Sequence, residues 1–516
     1  MIPQRIHRPA FVLFLVWKFV PIRIAAFSSK EVPLAKDIAY AQARRIRTLL
    51  GHDDALPFYQ QLLTNNDDYS AASHLAASSR TPTRQDQACQ WETCHQLHTL
   101  RNTLLDDYTH ANIQQRMNIP PQVTCRGPVY LTPVAAGTCK TPPVVESKLD
   151  CLVTLFLLGI CLRVDTFNTF LGDDAIHLLQ QLGLAFVSDD NLLVVPYVHL
   201  FPLDCGCDCN CDCNTTTLIL ATDLHPRVLS TTTVGTQHHG PVMYIGPDSL
   251  ALVSHMPKVN QEWKNVLDLC TGSGIQALAV LQSTRCDDCT VTCVDINPRA
   301  LQFTRFNAAL NGLNVATIQG DLITGNMEGV WQNTHDLILA NPPFIPVPPT
   351  KEILKRYGLF SSGGANGEII LRNIIELAGK TLSKENGLLA IVSEFMNPQD
   401  PALLERLQTW WGDTHSATGV LLTNQIPLND ETYAVRRADS KEEYDIWLEH
   451  LRHNHISQVS PGLLFVQTSE RRSRGGLDLH HRIVPKTQLG SIWTPSNSDA
   501  VAFVGEVVAC MMAGNE

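Results

Sequence analysis

Long apolar runs are missing from this sequence. None reaches the ~18 uninterrupted apolar residues that a membrane-crossing helix requires, so no part of the mature chain is expected to lie in a membrane. Charge is sparse as well: 17% of the residues are Asp, Glu, Lys or Arg, and the basic ones are outnumbered 39 to 50, for a formal net charge of -11. That balance excludes a protein that coats nucleic acid by bulk charge, although it leaves room for a local basic face. Cysteine, at 16 in 516 residues, is too thin for a small disulfide scaffold, and Cys151, Cys161 and Cys293 sit inside apolar runs, so the thiols are expected to be reduced. What remains is a globular balance, 44% hydrophobic, with length for about three domains. Fibrous and wholly disordered chains are excluded.

The first 30 residues stand apart. They carry Arg5, Arg8, Lys18, Arg23 and Lys30 but no acid, and they enclose the apolar run Ala10 to Trp17 followed by the small residues Ala25 and Ala26. A basic flank, a short apolar run and a small-residue exit predict a targeting presequence over 1–26. Its Ala25-Ala-Phe-Ser-Ser29 stretch resembles the Ala-Phe junction of plastid-targeting presequences in algae with secondary plastids, which implies a plastid location, with the cytoplasm as the alternative.

Residues 27–146 read as a mainly helical region, with Ala35, Ile38, Ala41, Ile46 and Leu49 at near-helical spacing and a second helix from Ala88 to Met117. Six prolines between 119 and 146 close it. From 147 to 245 the order is an apolar segment at Leu152 to Leu162, a helix at Asp173 to Leu182 and a hairpin turning at Asp189 to Asn191, the outline of a winged helix. Duplex DNA would call for phosphate-binding cations, yet residues 151–200 hold one basic residue, Arg163, and five acids, which favours packing or protein docking. Cys205 to Cys213, five cysteines alternating with small or acidic residues, reads as a surface-loop expansion, with adventitious zinc or copper binding as the alternative; no His or second cysteine pair completes a tetrahedral set except a weak Cys286-Asp-Asp-Cys289.

The chemistry sits in 246–470. Asn265 to Thr271 is a short strand that runs into Gly272-Ser-Gly274, after which Ile275 to Leu281 has helical character. Gly272-x-Gly274-x-x-Ala277 alone also fits a dinucleotide fingerprint. Asp268, at the strand end and four residues before Gly272, would repel a pyrophosphate and suits a cationic, amino-bearing ligand. Asp295 ends a second strand, placed for two ribose hydroxyls, and Asp321 ends a third, placed for an adenine amino group. A fourth strand runs into Asn341-Pro342-Pro343-Phe344, where the Asn341 side-chain oxygen and the Pro342 carbonyl can accept from both N–H groups of a planar nitrogen, the prolines fix the backbone, and Phe344 can stack on the planar group. Further strands follow at Leu388 to Phe395, Thr418 to Thr423 and Leu463 to Thr468, with a charged helix at Lys441 to His453.

Asp268-x-x-x-Gly272-x-Gly274 resembles the signature of class I methyltransferases that use S-adenosylmethionine (AdoMet). Asn341-Pro-Pro-Phe344, with Gly363-Gly364-x-x-Gly367 before a helix, is similar to the HemK/PrmC-like glutamine methyltransferases. The resemblance implies an α/β, Rossmann-like, seven-stranded sheet, AdoMet as cofactor, no metal, and a cofactor-binding set of Asp268, Thr271, Gly272, Gly274, Asp295, Ile296, Asp321 and Asn341. It also implies a protein substrate, such as a release factor. Two departures hold other readings open: Phe344 is also common in ribosomal-RNA guanine methyltransferases, and Asn366 stands where the glutamine enzymes usually have Asp. An RNA or DNA amine methyltransferase, and a non-catalytic docking or metal-binding protein on the same fold, are the alternatives. The extension 471–516 opens with Arg471, Arg472 and Arg474, solvated or in contact with RNA or the ribosome.

Overall fold

The structure, a computed structural model, describes residues 95–117, 145–157, 162–187, 191–205, 216–223, 242–257, 263–284, 289–327, 329–469, 475–485 and 498–512. The presequence, the helix expected at Ala35 to Leu49, most of the proline-rich linker, Cys207 to Cys213, Cys286 and Arg471 to Arg474 lie outside the described residues.

The helix expected from Ala88 to Met117 is two pieces. The first ends in a π turn at Leu100–Leu104, and α1 (His110–Met117) follows a break. The break seats buried Tyr108, whose hydroxyl donates to the Leu200 carbonyl at 2.8 Å. Next come α2 (Lys148–Leu152), extended by a π turn to Leu157, then β1 (Leu162–Arg163), α3 (Val164–Phe170), α4 (Asp173–Gln181), β2 (Ala185–Val187) and β3 (Leu193–Pro196). These strands form an antiparallel sheet in the order β1-β3-β2. A separate antiparallel hairpin, β4 (Val198–Cys205) with β5 (Thr216–Asp223), leads on to α5 (Pro247–His255).

The second half alternates strand and helix: β6 (Asn265–Leu269), α6 (Ile275–Thr284), β7 (Thr290–Asp295), α7 (Pro298–Leu310), β8 (Ala316–Gln319) and β9 (Leu337–Ala340). After these come α8 (Lys351–Ser361), α9 (Ile369–Thr381), β10 (Leu388–Met396), α10 (Pro401–Trp411), β11 (Ser416–Asn424), the two-residue β12 (Leu428–Asn429), α11 (Asp430–Arg437), α12 (Lys441–His453), β13 (Gln458–Thr468), β14 (Gly476–Val484) and α13 (Ser498–Met512). The sheet order is β14-β11-β13-β10-β9-β6-β7-β8, with β12 paired to β13. β6 to β10 run parallel, and β13 is antiparallel between β10 and β11. The expectation of seven strands is therefore short by two. β14 pairs in parallel with β11, so the extension after 470 continues the sheet.

Near-continuous apolar runs make these strands because both faces of a parallel sheet are covered. Leu337, Leu339, Leu388, Ala390 and Val392 face a core shared with α6, the β4–β5 hairpin and α13. Their alternates Ile338, Ala340, Leu389 and Ile391 face α9 and α10. Each leucine, isoleucine or valine among them, fully buried, contributes about 1.5–3 kcal/mol. The main core of the accessory block is shared, with Leu155, Phe156, Leu200 and Ala221 packed against Phe303, Phe306 and Leu310 of α7, while Phe186, Leu193 and Val195 form a small cluster of their own. Residue 245 is thus a boundary of motifs and not of packing. Among the described cysteines, Cys151, Cys270, Cys293 and Cys510 are free thiols, while Cys289 is disulfide-bonded, against the expectation of wholly reduced thiols. No helix among the described residues is long and apolar enough to cross a membrane.

Candidate active site

The carboxyl ends of parallel strands leave a crevice where their loops diverge. Here β6 delivers the chain into a turn in which Cys270, Gly272 and Gly274 have φ of +56°, +58° and +81°, a left-handed region that glycine enters freely and cysteine does not. The turn is tied at several points. The Thr271 N–H donates to the Val294 carbonyl (3.1 Å), the Gly272 N–H to Asp295 Oδ2 (2.9 Å), and the Thr304 hydroxyl to the Gly272 carbonyl (3.1 Å).

Seven of the expected residues meet on one cavity: Thr271, Gly272, Asp295, Ile296, Asp321, Asn341 and Pro343. Asp295 also accepts from the Asn297 N–H through Oδ1, and burial raises its pKa against the pull of these backbone donors. Asp321 is oriented by the Ile323 N–H (2.8 Å) and the Thr324 hydroxyl (3.0 Å). Ile296 and Ile323 stand 42% and 62% exposed beside these two acids. Two open apolar side chains next to two strand-end carboxylates fit a flat purine with a ribose, so the residues present suit AdoMet.

Four expected residues are placed elsewhere. Asp268 lies beneath the turn, fully buried, with its Oδ2 accepting from the Thr271 hydroxyl at 2.6 Å. Burial pushes its carboxyl up to about 7, with the neighbouring Asp295 charge adding to the shift. Asp268 therefore supports Thr271 and does not form the wall. Gly274 backs onto Thr304, whose Cγ2 would be 3.0 Å from an added Cβ, and Pro342 is buried behind the wall. Phe344, expected to stack on the acceptor, instead packs into a separate core with Ile345, Tyr357 and Trp447. The aromatic side chains that line the cavity are Tyr244 and, on α8, Phe360. Gly363 and Gly367 lie against the Phe344 backbone, where added Cβ atoms would come within 2.8 Å of its Cα and 2.5 Å of its carbonyl oxygen. This contact accounts for Gly363 and Gly367, and Gly364 has a φ of +87°.

The sequence reading missed Asp248 and Ser249. Asn341 Nδ2 donates to Asp248 Oδ2 and to Ser249 Oγ, both at 3.0 Å. Two acceptors around the amide nitrogen fix which end of the side chain is which and leave Oδ1 as an acceptor at the cavity. Burial raises the Asp248 pKa, the Asn341 bond opposes the rise, and the nearby Glu394 charge adds to it. Gly246-Pro247-Asp248 reads as an ordinary helix start, with Pro at the first position and an acid in the first turn, so burial was the signal that sequence could not supply. Glu394, at the end of β10, accepts from the Tyr433 hydroxyl (2.5 Å) and from Arg437 (3.0 Å), which pins α11 beside the site.

Residues 244–355 match the family model described as methyltransferase small domain. The ribosomal protein uL3 glutamine methyltransferase of Bradyrhizobium diazoefficiens is 32% identical over 177 residues, 33% of this chain and 51% of that one. The release factor glutamine methyltransferase of Mycolicibacterium smegmatis is 32% identical over 131 residues, 24% of this chain and 44% of that one. The chain spans about half the length of these two relatives. A protein from Methanocaldococcus jannaschii, with the provisional name protein N5-glutamine methyltransferase, is 30% identical over 155 residues and is covered over 73% of its length. The chain belongs to the HemK/PrmC-like methyltransferases. No three His, Cys, Asp or Glu side chains stand together as metal ligands among the described residues.

Proposed function

We propose that this methyltransferase transfers a methyl group from AdoMet to a planar nitrogen, the side-chain amide of a glutamine in a protein. The observation that carries the reading is the orientation of Asn341. With its nitrogen engaged by Asp248 and Ser249, its carbonyl oxygen faces the cavity beside Pro343 as a hydrogen-bond acceptor for an N–H group. AdoMet supplies a methyl group on a sulfonium. Asp295 and Asp321, with Ile296 and Ile323, hold the nucleoside, and the turn from Thr271 to Gly274 closes over the methionine end. Asn341 accepts from the amide N–H so that the nitrogen lone pair lies in line with the methyl group, and Phe360 covers the amide plane.

The acceptor protein is a component of the translation machinery, a release factor or a ribosomal protein; the names of the relatives support both. The block from α2 to β3, winged-helix-like in order, is its docking module. On α4 the exposed residues are Asp173, Asp174, His177, Gln180 and Gln181, an acidic surface that repels phosphate and suits a basic protein. Incubation with labelled AdoMet and a cell extract, followed by protease or nuclease, tests the reading. Label removed by protease and recovered as N5-methylglutamine supports it, whereas label removed by nuclease transfers the site to an exocyclic amine of RNA or DNA.

A further inference from the structure

The helix that follows β7 carries polar side chains on a face with no catalytic duty. On α7 and at its C-cap, Arg299, Phe303, Asn307 and Asn311 recur every fourth residue, about 6 Å apart along the axis. Facing them is the edge of β5 that β4 does not pair, where alternate residues recur about every 6.6 Å. The two repeats match, and the asparagines act as a substitute strand. Asn311 Oδ1 accepts from the Ile219 N–H (2.9 Å) and its Nδ2 donates to the Ile219 carbonyl (2.8 Å). Asn307 Oδ1 accepts from the Ala221 N–H (2.7 Å) and its Nδ2 donates to the Ala221 carbonyl (3.0 Å). One step further, Arg299 pairs with the largely buried Asp223.

Only part of this seam reaches the cavity. Asn307, fully buried, also donates from Nδ2 to the Ser273 carbonyl at 2.8 Å, inside the glycine turn. At the far end, Asp223 Oδ2 accepts from the N–H of Val242, another residue of the cavity wall. Asn311 has no such tie: its partners are Ile219, the Asn307 carbonyl and Arg101, which also holds the Thr217 carbonyl.

We propose that Asn307 is a positioning residue of the cofactor site. By joining Ala221 of the accessory hairpin to Ser273, it makes the geometry of the glycine turn depend on the docked hairpin, so the hairpin sets AdoMet affinity without lining the cavity. This rests on the reading of the cavity as the AdoMet site.

The two asparagines supply their own control, because Asn307→Ala and Asn311→Ala remove equivalent strand-like bonds and differ in the bond to Ser273. The measurements are AdoMet and S-adenosylhomocysteine affinity of the full chain by calorimetry, thermal midpoints, and methyl transfer at saturating AdoMet. Both variants should lower the midpoint. Asn307→Ala should weaken AdoMet binding at least tenfold while kcat at saturation stays within about twofold, and Asn311→Ala should bind within about twofold of wild type. Asn307→Asp, which keeps an acceptor for the Ala221 N–H and lacks the donor to Ser273, should weaken binding as well and replaces Asn307→Ala if the latter does not fold. Equal affinity losses in the position-307 and position-311 variants, or wild-type affinity in a folded position-307 variant, would overturn the proposal. A wild-type chain that binds neither ligand would overturn the cofactor assignment itself, and this inference with it.

Discussion

Asn341→Asp probes the acceptor side most directly, because the structure places a buried carboxylate against the substituted group. The new carboxylate would lie 3.0 Å from Asp248 Oδ2. At an effective dielectric near 20, two unit charges at that separation repel by about 5 to 6 kcal/mol, roughly four pH units of displacement. The pair would therefore share one proton through neutral pH, on top of the upward shift that burial already imposes on Asp248. A pair whose pKa is raised in the folded state contributes stability at low pH and loses it as pH rises through the raised value. The single variant should thus lose methyl-transfer rate by ~100-fold or more at pH 8, with AdoMet affinity within a few-fold of wild type, and its urea midpoint should fall more steeply with pH than that of wild type. Adding Asp248→Asn removes the repulsion, restores a donor between positions 248 and 341, and still leaves an oxygen at the cavity. The double variant should recover to within about tenfold of wild type, a coupling of at least ~1.4 kcal/mol in the double-mutant cycle. Additive losses, with the double variant worse than either single one, would refute the orientation assigned to Asn341.

Phe360→Ala should raise the acceptor KM by about tenfold with little change in unfolding midpoint, whereas Phe344→Ala should lower stability by ~2–3 kcal/mol; a steady-state titration and a urea melt of each decide which aromatic meets the substrate. Glu394→Gln leaves the Arg437 guanidinium without its carboxylate and should cost about 3 kcal/mol in urea unfolding, a loss that Glu394→Asp would share only in part. Asp268, raised to about 7, holds its proton in the fold where an ordinary carboxyl has lost it, so its contribution is present below about pH 4 and disappears as pH rises through 7. Stability of the ligand-free protein should then be lower at pH 8 than at pH 5, and Asp268→Asn should shrink that difference by at least ~1 kcal/mol; an unchanged pH profile would mean that the carboxyl is ordinary.

The strands, the glycine turn and the order of the strand-end acids were legible because apolar period and turn chemistry are local properties. Asp295, Asp321 and Asn341 accordingly line one cavity. Depth is not local. Asp268 stands at a strand end like the other acids, yet its side chain points under the turn, and no spacing rule distinguishes that from pointing over it. The choice between Phe344 and Phe360 was set by α8, α11 and α12, whose packing draws Phe344 away from the cavity. Asp248 was hidden for a different reason: 93 residues separate it from Asn341, and in sequence it resembles any first-turn acid. β14 was missed because an edge strand needs only one apolar face, and Leu477 and Leu479 are too few to stand out beside Asp478, His480, His481 and Arg482.

That edge strand bears on how the domain can be cut. A fragment ending at 470, where the recognisable motifs end, would strip β14 from β11 and leave the nine residues Ser416–Asn424 with a raw backbone edge. It would also remove Val504, Val508 and Met511 from the core they share with Leu250 and Leu252 of α5, the helix that aims Asp248 at Asn341. An open, apolar strand edge recruits the same edge of another molecule, so such a fragment would gather into aggregates, and whatever stayed dissolved would hold its acceptor pocket loosely. The smallest piece worth expressing for crystallisation or assay therefore runs through residue 512, and a tag placed just after 470 would report on a different, damaged protein.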